Sequence, residues 1–541
     1  MFGRLKYNLV AVALCAGAVF AANGEMKGDG SAEAPFQIED YEDLKAIGIG
    51  DYLYTADYVL TKDIDASASR SEICNGDGCN GFRPIGFRAD RDGKTAFIGK
   101  IDGQYHTIRN LWIWSPCENG LGFISTLHGT VFSLNFDSLS VLGGSDDAHD
   151  PTSNRVGGLA ARAVGATISN VHITNGHIEG QSYVGGVVGE AKDSLGRGYI
   201  GSSSYQGSIK GKRYVGGVAG FSRLALILCS ADVHIYVFTQ QVDRSRKAYS
   251  IGGLVGEMDY ISIQESFATG AIVPMEATTE MRAIGGLVGF TNTSASVNQS
   301  YAAVDVGISL GGDYFFEEDI GGLVGRNNGR IRESFATGNV VGNYSVGGLV
   351  GFNLYGDIYN SYALGTVKSP KATQYIGGLV GENDGGVYAS YSAGKVESAL
   401  DSNGQKKGGG LIGYGTTENV DNSYWNLETS GLDTSSGGVG LSESAMRRFA
   451  SFAGWDTIGY HEMSDWYLLA PGESCDGHVM YDTICVHPLG EYISTWTIDE
   501  GKSYPYLAEN VGKHQGISIC SLLHDPNPDD SLNSARGCID L

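Results

Sequence analysis

The residue types that carry chemistry are all present in this chain, but few stand at the spacings chemistry uses. A zinc peptidase needs two histidines at i and i+4 with a glutamate between them, so that both imidazoles meet one metal and the carboxylate reaches its water. The nearest approach, His461-Glu462-Met463-Ser464-Asp465, has aspartate where the second histidine belongs. A glycosidase needs two carboxylates roughly 5 to 10 Å apart. Glu317-Glu318-Asp319 offers such groups, and its plain reading is a solvated acidic loop, with sugar chemistry or a cation site as alternatives. Ser266, Ser300, Ser334, Ser361, Ser390 and Ser423 recur with a regular period, whereas a nucleophile is singular and needs a positioned base. Gly-Gly-Leu-Val-Gly lacks the lysine and hydroxyl residue of a phosphate loop and opens no helix. No catalytic residue, metal ligand or cofactor is therefore expected.

Those serines and glycines belong to elements. A Gly-Gly pair begins at Gly157, Gly185, Gly216, Gly252, Gly285, Gly321, Gly347, Gly377 and Gly409, at spacings of 26 to 36 residues. From Gly252 onward the serine of a second phrase, such as Ser334-Phe335-Ala336, follows 13 to 15 residues later. Three glycines in Ile320-Gly321-Gly322-Leu323-Val324-Gly325 weaken a helix, and branched neighbours favour a buried strand. The pair makes room for neighbouring backbone, and the closing glycine is expected in a positive-φ turn. Asn327-Asn328-Gly329 reads as a turn, while Leu323, Val324, Ile331 and Phe335 read as core. One unit cannot bury both faces, but units stacked about 4.8 Å apart can. The expected fold is all-β, a right-handed parallel β-solenoid, with Leu254, Leu287, Leu323, Leu349 and Leu379 equivalent and inward. The period is too short and uneven for a propeller.

The organisation expected is a signal peptide over 1–22, an N-terminal cap and early coils over 23–110, repeats over 111–426, a C-terminal cap over 427–507 and a cysteine-containing appendage over 508–541. Arg4, Lys6 and the apolar run Leu9 to Ala18 carry the export reading. Outside that leader stand eight cysteines. Cys74 with Cys79, Cys475 with Cys485, and Cys520 with Cys538 are the local disulfide pairings to consider, and Cys117 and Cys229 are either paired or buried. Lys+Arg 37 against Asp+Glu 61, a net charge of −24, sets the surface against nucleic acid, and no stretch after the leader is long enough for a membrane helix.

Ile-Gly-Gly-Leu-Val-Gly followed by Ser-Tyr/Phe-Ala-x-Gly resembles the GLUG-motif repeat, over roughly Arg155 to Asn426. The resemblance implies a bacterial surface protein of the adhesin kind, or the non-catalytic part of an immunoglobulin A1 protease relative. An exported surface or secreted adhesion protein is the first functional reading; a structural envelope or matrix component is the alternative, and carbohydrate processing a third. The partner expected is a surface glycan or an extracellular protein, with self-association open and periplasmic retention a variant of the location. Candidate contacts are the nonperiodic aromatics Trp112, Trp114, Tyr314, Phe315 and Phe316, the last three assigned to a surface insertion.

Overall fold

The computed structural model describes residues 26–72, 80–86, 96–115, 120–143, 155–193, 198–238, 248–275, 281–308, 315–371, 375–416, 418–452, 454–455, 466–468, 479–481, 484–486, 496–497 and 503–507. The leader and appendage readings lie outside them.

Each repeat is one coil, and each coil hydrogen-bonds in parallel to the coil before and the coil after. Ile320 pairs with Ile284 on one side and Val346 on the other, Val324 with Val288 and Val350, and Ile331 with Val297 and Ile358. One ten-stranded sheet takes a single strand from every coil between Ile124–Leu127 and Ile412–Gly415. Parallel pairing starts at Phe36–Ile38 with Asp57–Leu60 and continues to Tyr424–Asn426 with Val439–Leu441, so the stack runs past the Gly-Gly repeats at both ends. This is a parallel β-solenoid. Leu254, Leu287, Leu323, Leu349 and Leu379 form one fully buried column, the amide of each of the first four bonded to the carbonyl of the next.

The two repeated phrases are halves of one contact. A Cβ on Gly321 would stand 2.0 Å from the Val324 carbonyl oxygen, across the arch that the chain makes there. On Gly322 it would stand 2.0 Å from the Gly348 oxygen of the next coil and 3.0 Å from the Ala336 Cβ. The alanine of the second phrase thus fills the space that the second glycine leaves, and Gly286 with Ala302 and Gly348 with Ala363 repeat the pairing. The closing glycine departs from expectation. Gly325 lies inside the strand Val324–Asn327, and a Cβ there would come within 2.4 Å of the Ile284 amide nitrogen, so close approach to a neighbouring coil selects it instead of a turn.

Polar side chains bond from coil to coil as well. The amides of Ser266, Ser300, Ser334, Ser361 and Ser390 donate to the Oγ of the next serine at 3.1–3.2 Å, and each Oγ donates to the carbonyl two residues back. The residue before each serine sits in the left-handed region, as Glu333 at φ 48° and Asn360 at φ 47° show. A second buried column runs Thr291, Asn327, Asn353, Asn383, joined by side-chain bonds of 2.6–2.9 Å. Asn327 ends the strand Val324–Asn327 and holds the turn expected there, its Oδ1 accepting from the Gly329 amide at 3.2 Å, while its own side-chain amide completes a ladder that one repeat alone does not contain.

Phe335 is buried, but outside the solenoid wall. Ala336 faces Gly322, and alternation along the two-residue strand Phe335–Ala336 sends Phe335 the other way. Phe267, Tyr301, Phe335, Tyr362 and Tyr391 stack there with centroids 4.8–5.1 Å apart and planes within 8°. Beyond Tyr391 the chain's own C-terminal residues cover the column. Trp455 stacks on Trp496 at 4.3 Å, and both approach Tyr391 at about 6 Å. The Tyr391 hydroxyl donates to the Pro505 carbonyl at 2.7 Å, and Trp455 Nε1 to the Asn422 carbonyl at 2.6 Å. These residues form a second apolar cluster separate from the main core.

Short helices stand near both ends of the coils. Tyr41–Ala46 starts at Asp40, whose side chain accepts from the Glu42 and Asp43 amides, and buries Leu44. Glu443–Met446 starts at Ser442, whose side chain accepts from the Ala445 amide.

Candidate interaction surface

The structure does not bring the sequence-predicted contact residues together. Trp112 and Trp114 are half-buried on the strand Trp112–Ser115, alternating with buried Ile113 and Ser115. The Trp112 ring packs over Gly81, where a Cβ would come within 2.9 Å of a ring carbon, and the Trp112 carbonyl accepts from the Phe82 amide. Phe315 is half-buried. Phe316 is a correction: it is fully buried at the start of the strand Phe316–Gly321, its backbone paired with Gly342, so it is a core residue and not a loop tip. Tyr314 lies outside the described residues, as do Cys74, Cys79, Cys117, Cys475, Cys520 and Cys538. Cys485 lies in the strand Ile484–Val486. Cys229 is free and buried in the serine column, its Sγ against the Ile200 and Ile227 carbonyls, and burial pushes its thiol up to about 12.

The acidic run is likewise absorbed by the coils. Glu317 meets Lys371 at 3.3 Å, Glu318 meets Arg282 at 2.8 Å and Asp319 meets Arg326 at 3.4 Å. Each carboxylate has its own cation. Among the described residues no group of three or more His, Cys, Asp or Glu side chains could hold a metal.

A surface that sequence reasoning missed is built by the arch itself. Folding about the glycines brings the residue two before each pair beside the residue seven further on. Tyr214 meets Phe221 edge-on at 6.4 Å, Ser250 donates to Glu257 at 2.9 Å, and Asp319 pairs with Arg326. The first member is held at positive φ in coil after coil: Tyr183 and Tyr214 at 53°, Ser250 at 61°, Asp319 at 60°. A non-glycine residue in that region costs on the order of 1 kcal/mol, so the surrounding ladders must impose it. The second member follows an apolar residue and a glycine, Ala219-Gly220 before Phe221 and Val-Gly before the others, and lines up in register: Glu190, Phe221, Glu257, Phe290, Arg326, Phe352. Together the two columns make a ridge along the stack in which Phe221, Glu257, Phe290, Arg326 and Phe352 are half-buried and Glu190, Ser250, Asp319 and Ser345 are buried. Its sequence signal was the one variable position at a fixed distance from an otherwise constant phrase.

Contacts also run along the ridge between coils. Tyr183 stacks on Tyr214 at 4.6 Å, Arg326 lies 5.0 Å above the Phe352 ring, Ser345 donates to Glu382 at 2.8 Å, and Tyr375 meets Tyr414 at 4.9 Å. At the N-terminal end Glu190 is 3% exposed and takes three cations, with Arg155 Nε at 2.5 Å, Lys192 at 2.9 Å and Arg162 at 3.5 Å. Burial alone would push the Glu190 carboxyl up, but the Arg155 and Lys192 bonds and charges hold it below the usual carboxylate range.

Asp319 goes the other way. Burial, opposed by Arg326 and reinforced by Glu318, raises its carboxyl from 3.8 to about 6. Between those values the folded chain holds a proton that the unfolded chain releases, so stability falls as pH rises through the window. Asp319→Asn removes this titration, and urea unfolding at pH 4, 5.5 and 7 should show the variant gaining on the parent as pH rises, by up to ~3 kcal/mol. A difference between the two that stays constant with pH would contradict the assignment.

The GLUG motif matches residues 317–341 and 342–368, two successive repeats of the stack. Halomucin of Haloquadratum walsbyi is 34% identical over 166 residues, which is 30% of this chain and 2% of that protein. Immunoglobulin A1 protease of Streptococcus pneumoniae is 36% identical over 93 residues, 17% of this chain and 5% of the protease. The alignments thus span small parts of these larger relatives. A solved IgA1 protease structure aligns with 72% of this chain and 21% of its own, at 16% identity and a TM-score of 0.28.

Proposed function

We propose that this GLUG-repeat β-solenoid is an exported adhesion or interaction protein of the cell surface, a scaffold without a catalytic centre whose ridge makes the contacts. One observation carries the reading. The inward columns hold nearly constant residue types, Val255, Val288, Val324 and Val350 among them, all fully buried, while the ridge positions beside them change freely between aromatic, cation and carboxylate. Packing fixes the former. Nothing in the fold requires the variety of the latter, and partly solvent-accessible aromatic and charged side chains on a rigid frame are what recognition uses. The leader-like N-terminus and the partial similarity to halomucin and immunoglobulin A1 protease support the surface location.

The test is a screen of the leader-free chain against glycans, extracellular matrix proteins and cells of its own kind. Replacing Phe221, Phe290 and Phe352 together by alanine should lower the binding found by tenfold or more while the β spectrum is kept. Phe315→Ala, away from the ridge, should leave it unchanged. Binding that survives the triple change, or is lost only with Phe315, would remove the ridge from the case.

A further inference from the structure

A groove in the late coils is lined by none of the ridge residues. It lies along the parallel strands Val367–Ser369 and Val396–Ser398, in which Lys368 is in register with Glu397. A hairpin that follows the second strand brings Lys406 to it. Leu400 bridges to Lys406, the Asp401 carboxylate accepts from the Asn403 and Gln405 amides at 2.8 and 2.9 Å, and the Ser398 hydroxyl donates to the Lys407 carbonyl at 2.8 Å. Pro370 and Ala399 add apolar surface, and the open space between these side chains is about 430 Å³.

Three lysines line the groove against one carboxylate. Lys395 meets Glu397 at 2.6 Å, and that bond, with the charges of Lys395, Lys368 and Lys406, holds the Glu397 carboxyl below the usual carboxylate range against a smaller effect of burial. All three ammonium groups thus act at one place. No other carboxylate among the described residues pairs with any of them. The neighbouring cations have carboxylates of their own: Lys407 meets Asp401 at 3.0 Å and Lys371 meets Glu317 at 3.3 Å. Residues 372–374, next along the chain, are Ala, Thr and Gln and bring no charge.

We infer that this groove binds a phosphate monoester, Lys368, Lys395 and Lys406 holding the phosphate and Pro370 and Ala399 lying against the carbon part of the ester. Charge selects the group. A carboxylate or a sulfate ester brings one negative charge, which Glu397 already supplies, whereas a phosphate monoester brings nearly two at neutral pH, with three strong acceptor oxygens. Lysine suits it as a compact point charge with three rotatable donors. The Ser369 and Ser398 hydroxyls already donate to the Asn343 and Lys407 carbonyls, so the ammonium groups are the donors left for a ligand. A long polyanion would run out of the groove over a chain whose net charge is −24, while a single phosphate senses little beyond the Debye length of ~8 Å.

Calorimetry of the leader-free chain with three molecules on one skeleton tests it: glycerol 3-phosphate, glycerate and glycerol. Glycerol 3-phosphate should bind at least tenfold more tightly than glycerate, and glycerol should give no signal. Its affinity should fall severalfold from pH 7.5 to pH 5.5, because the phosphate, with a second pKa of about 6, gains a proton while the lysines keep theirs. Lys368→Ala with Lys406→Ala should lower the affinity tenfold or more at an unchanged urea midpoint, arginine at both places should retain most of it, and Glu397→Gln should raise it. The variant without Phe221, Phe290 and Phe352 should bind as the parent does, since the groove does not depend on the ridge. Phosphatidylcholine vesicles with and without phosphatidic acid separate the sources: sedimentation with vesicles that needs phosphatidic acid and both lysines assigns the phosphate to a lipid headgroup, and binding of glycerol 3-phosphate without it assigns a soluble ester. Glycerate binding as tightly as the phosphate, affinity that does not fall at pH 5.5, indifference to Lys368 and Lys406, or no binding of either phosphate overturns the inference.

Discussion

Gly322→Ala should destabilise the protein by about 4 kcal/mol or more, although the same exchange at a compatible site usually stabilises by restricting the unfolded chain. The added methyl would stand 2.0 Å from the Gly348 oxygen and 3.0 Å from the Ala336 Cβ. Neither can yield locally: Gly348 belongs to a coil held in register through Val346, Val350 and Ile358, and Ala336 is fully buried. A side chain at the end of a flexible stem would rotate away. Backbone in a stack cannot, so the coils must part or the arch must open. Phe352→Ala, one coil further along the ridge, removes a far larger group and should cost less, because its ring is half-exposed. Urea unfolding followed by circular dichroism separates the two, and a Gly322→Ala midpoint equal to the parent's would refute the close-approach account.

Replacing Trp455 and Trp496 together by alanine should free the C-terminal residues from the solenoid wall without unfolding the coils. The two indoles contact each other and Tyr391, and Trp455 also contacts Tyr424 and Phe452. Truncating one buried tryptophan costs about 3–5 kcal/mol, and these two share one cluster. That cluster is separate from the main core, so its loss leaves the leucine, serine and asparagine columns intact. Limited proteolysis should then cut the chain after the last coil under native conditions, and the bared aromatic column should bind a hydrophobic dye. Unchanged protease resistance and no dye signal would mean that other contacts hold the segment.

The coil was legible because its causes are local and repeated. Glycine pairs, branched neighbours and a serine at fixed distance suffice to specify parallel stacking, and the column from Leu254 to Leu379 stands where the period puts it. What escaped was whatever depends on residues far apart in the chain. A two-residue strand such as Phe335–Ala336 does not reveal which side is inside, and a second apolar cluster contributed by residues past 450 buries the outward ring as thoroughly as the core would. Asn327 is the turn residue it looks like, but its bonds to Thr291 and Asn353 join coils that no single repeat contains. The carboxylates of Glu317, Glu318 and Asp319 look solvated until Lys371, Arg282 and Arg326 arrive from neighbouring positions in the stack. The ridge escaped because its members vary, and a search for constancy passes over them.

The register of the columns makes this chain a text that can be edited by whole lines. Removing residues 321–346 would join Ile320 to Gly347 and restore the arch phrase at the junction, since Val346 and Gly347 occupy in their coil the places of Ile320 and Gly321. Thr291 would then reach Asn353, Ser300 would reach Ser361, and Phe352 would take the ridge place of Arg326 seven residues after Asp319. The molecule would be one coil, about 4.8 Å, shorter, with every inner column closed. Gain or loss of a repeat in the gene therefore rewrites the order of side chains along the ridge while leaving the packing rules untouched, and reach and recognition can change without the core having to evolve.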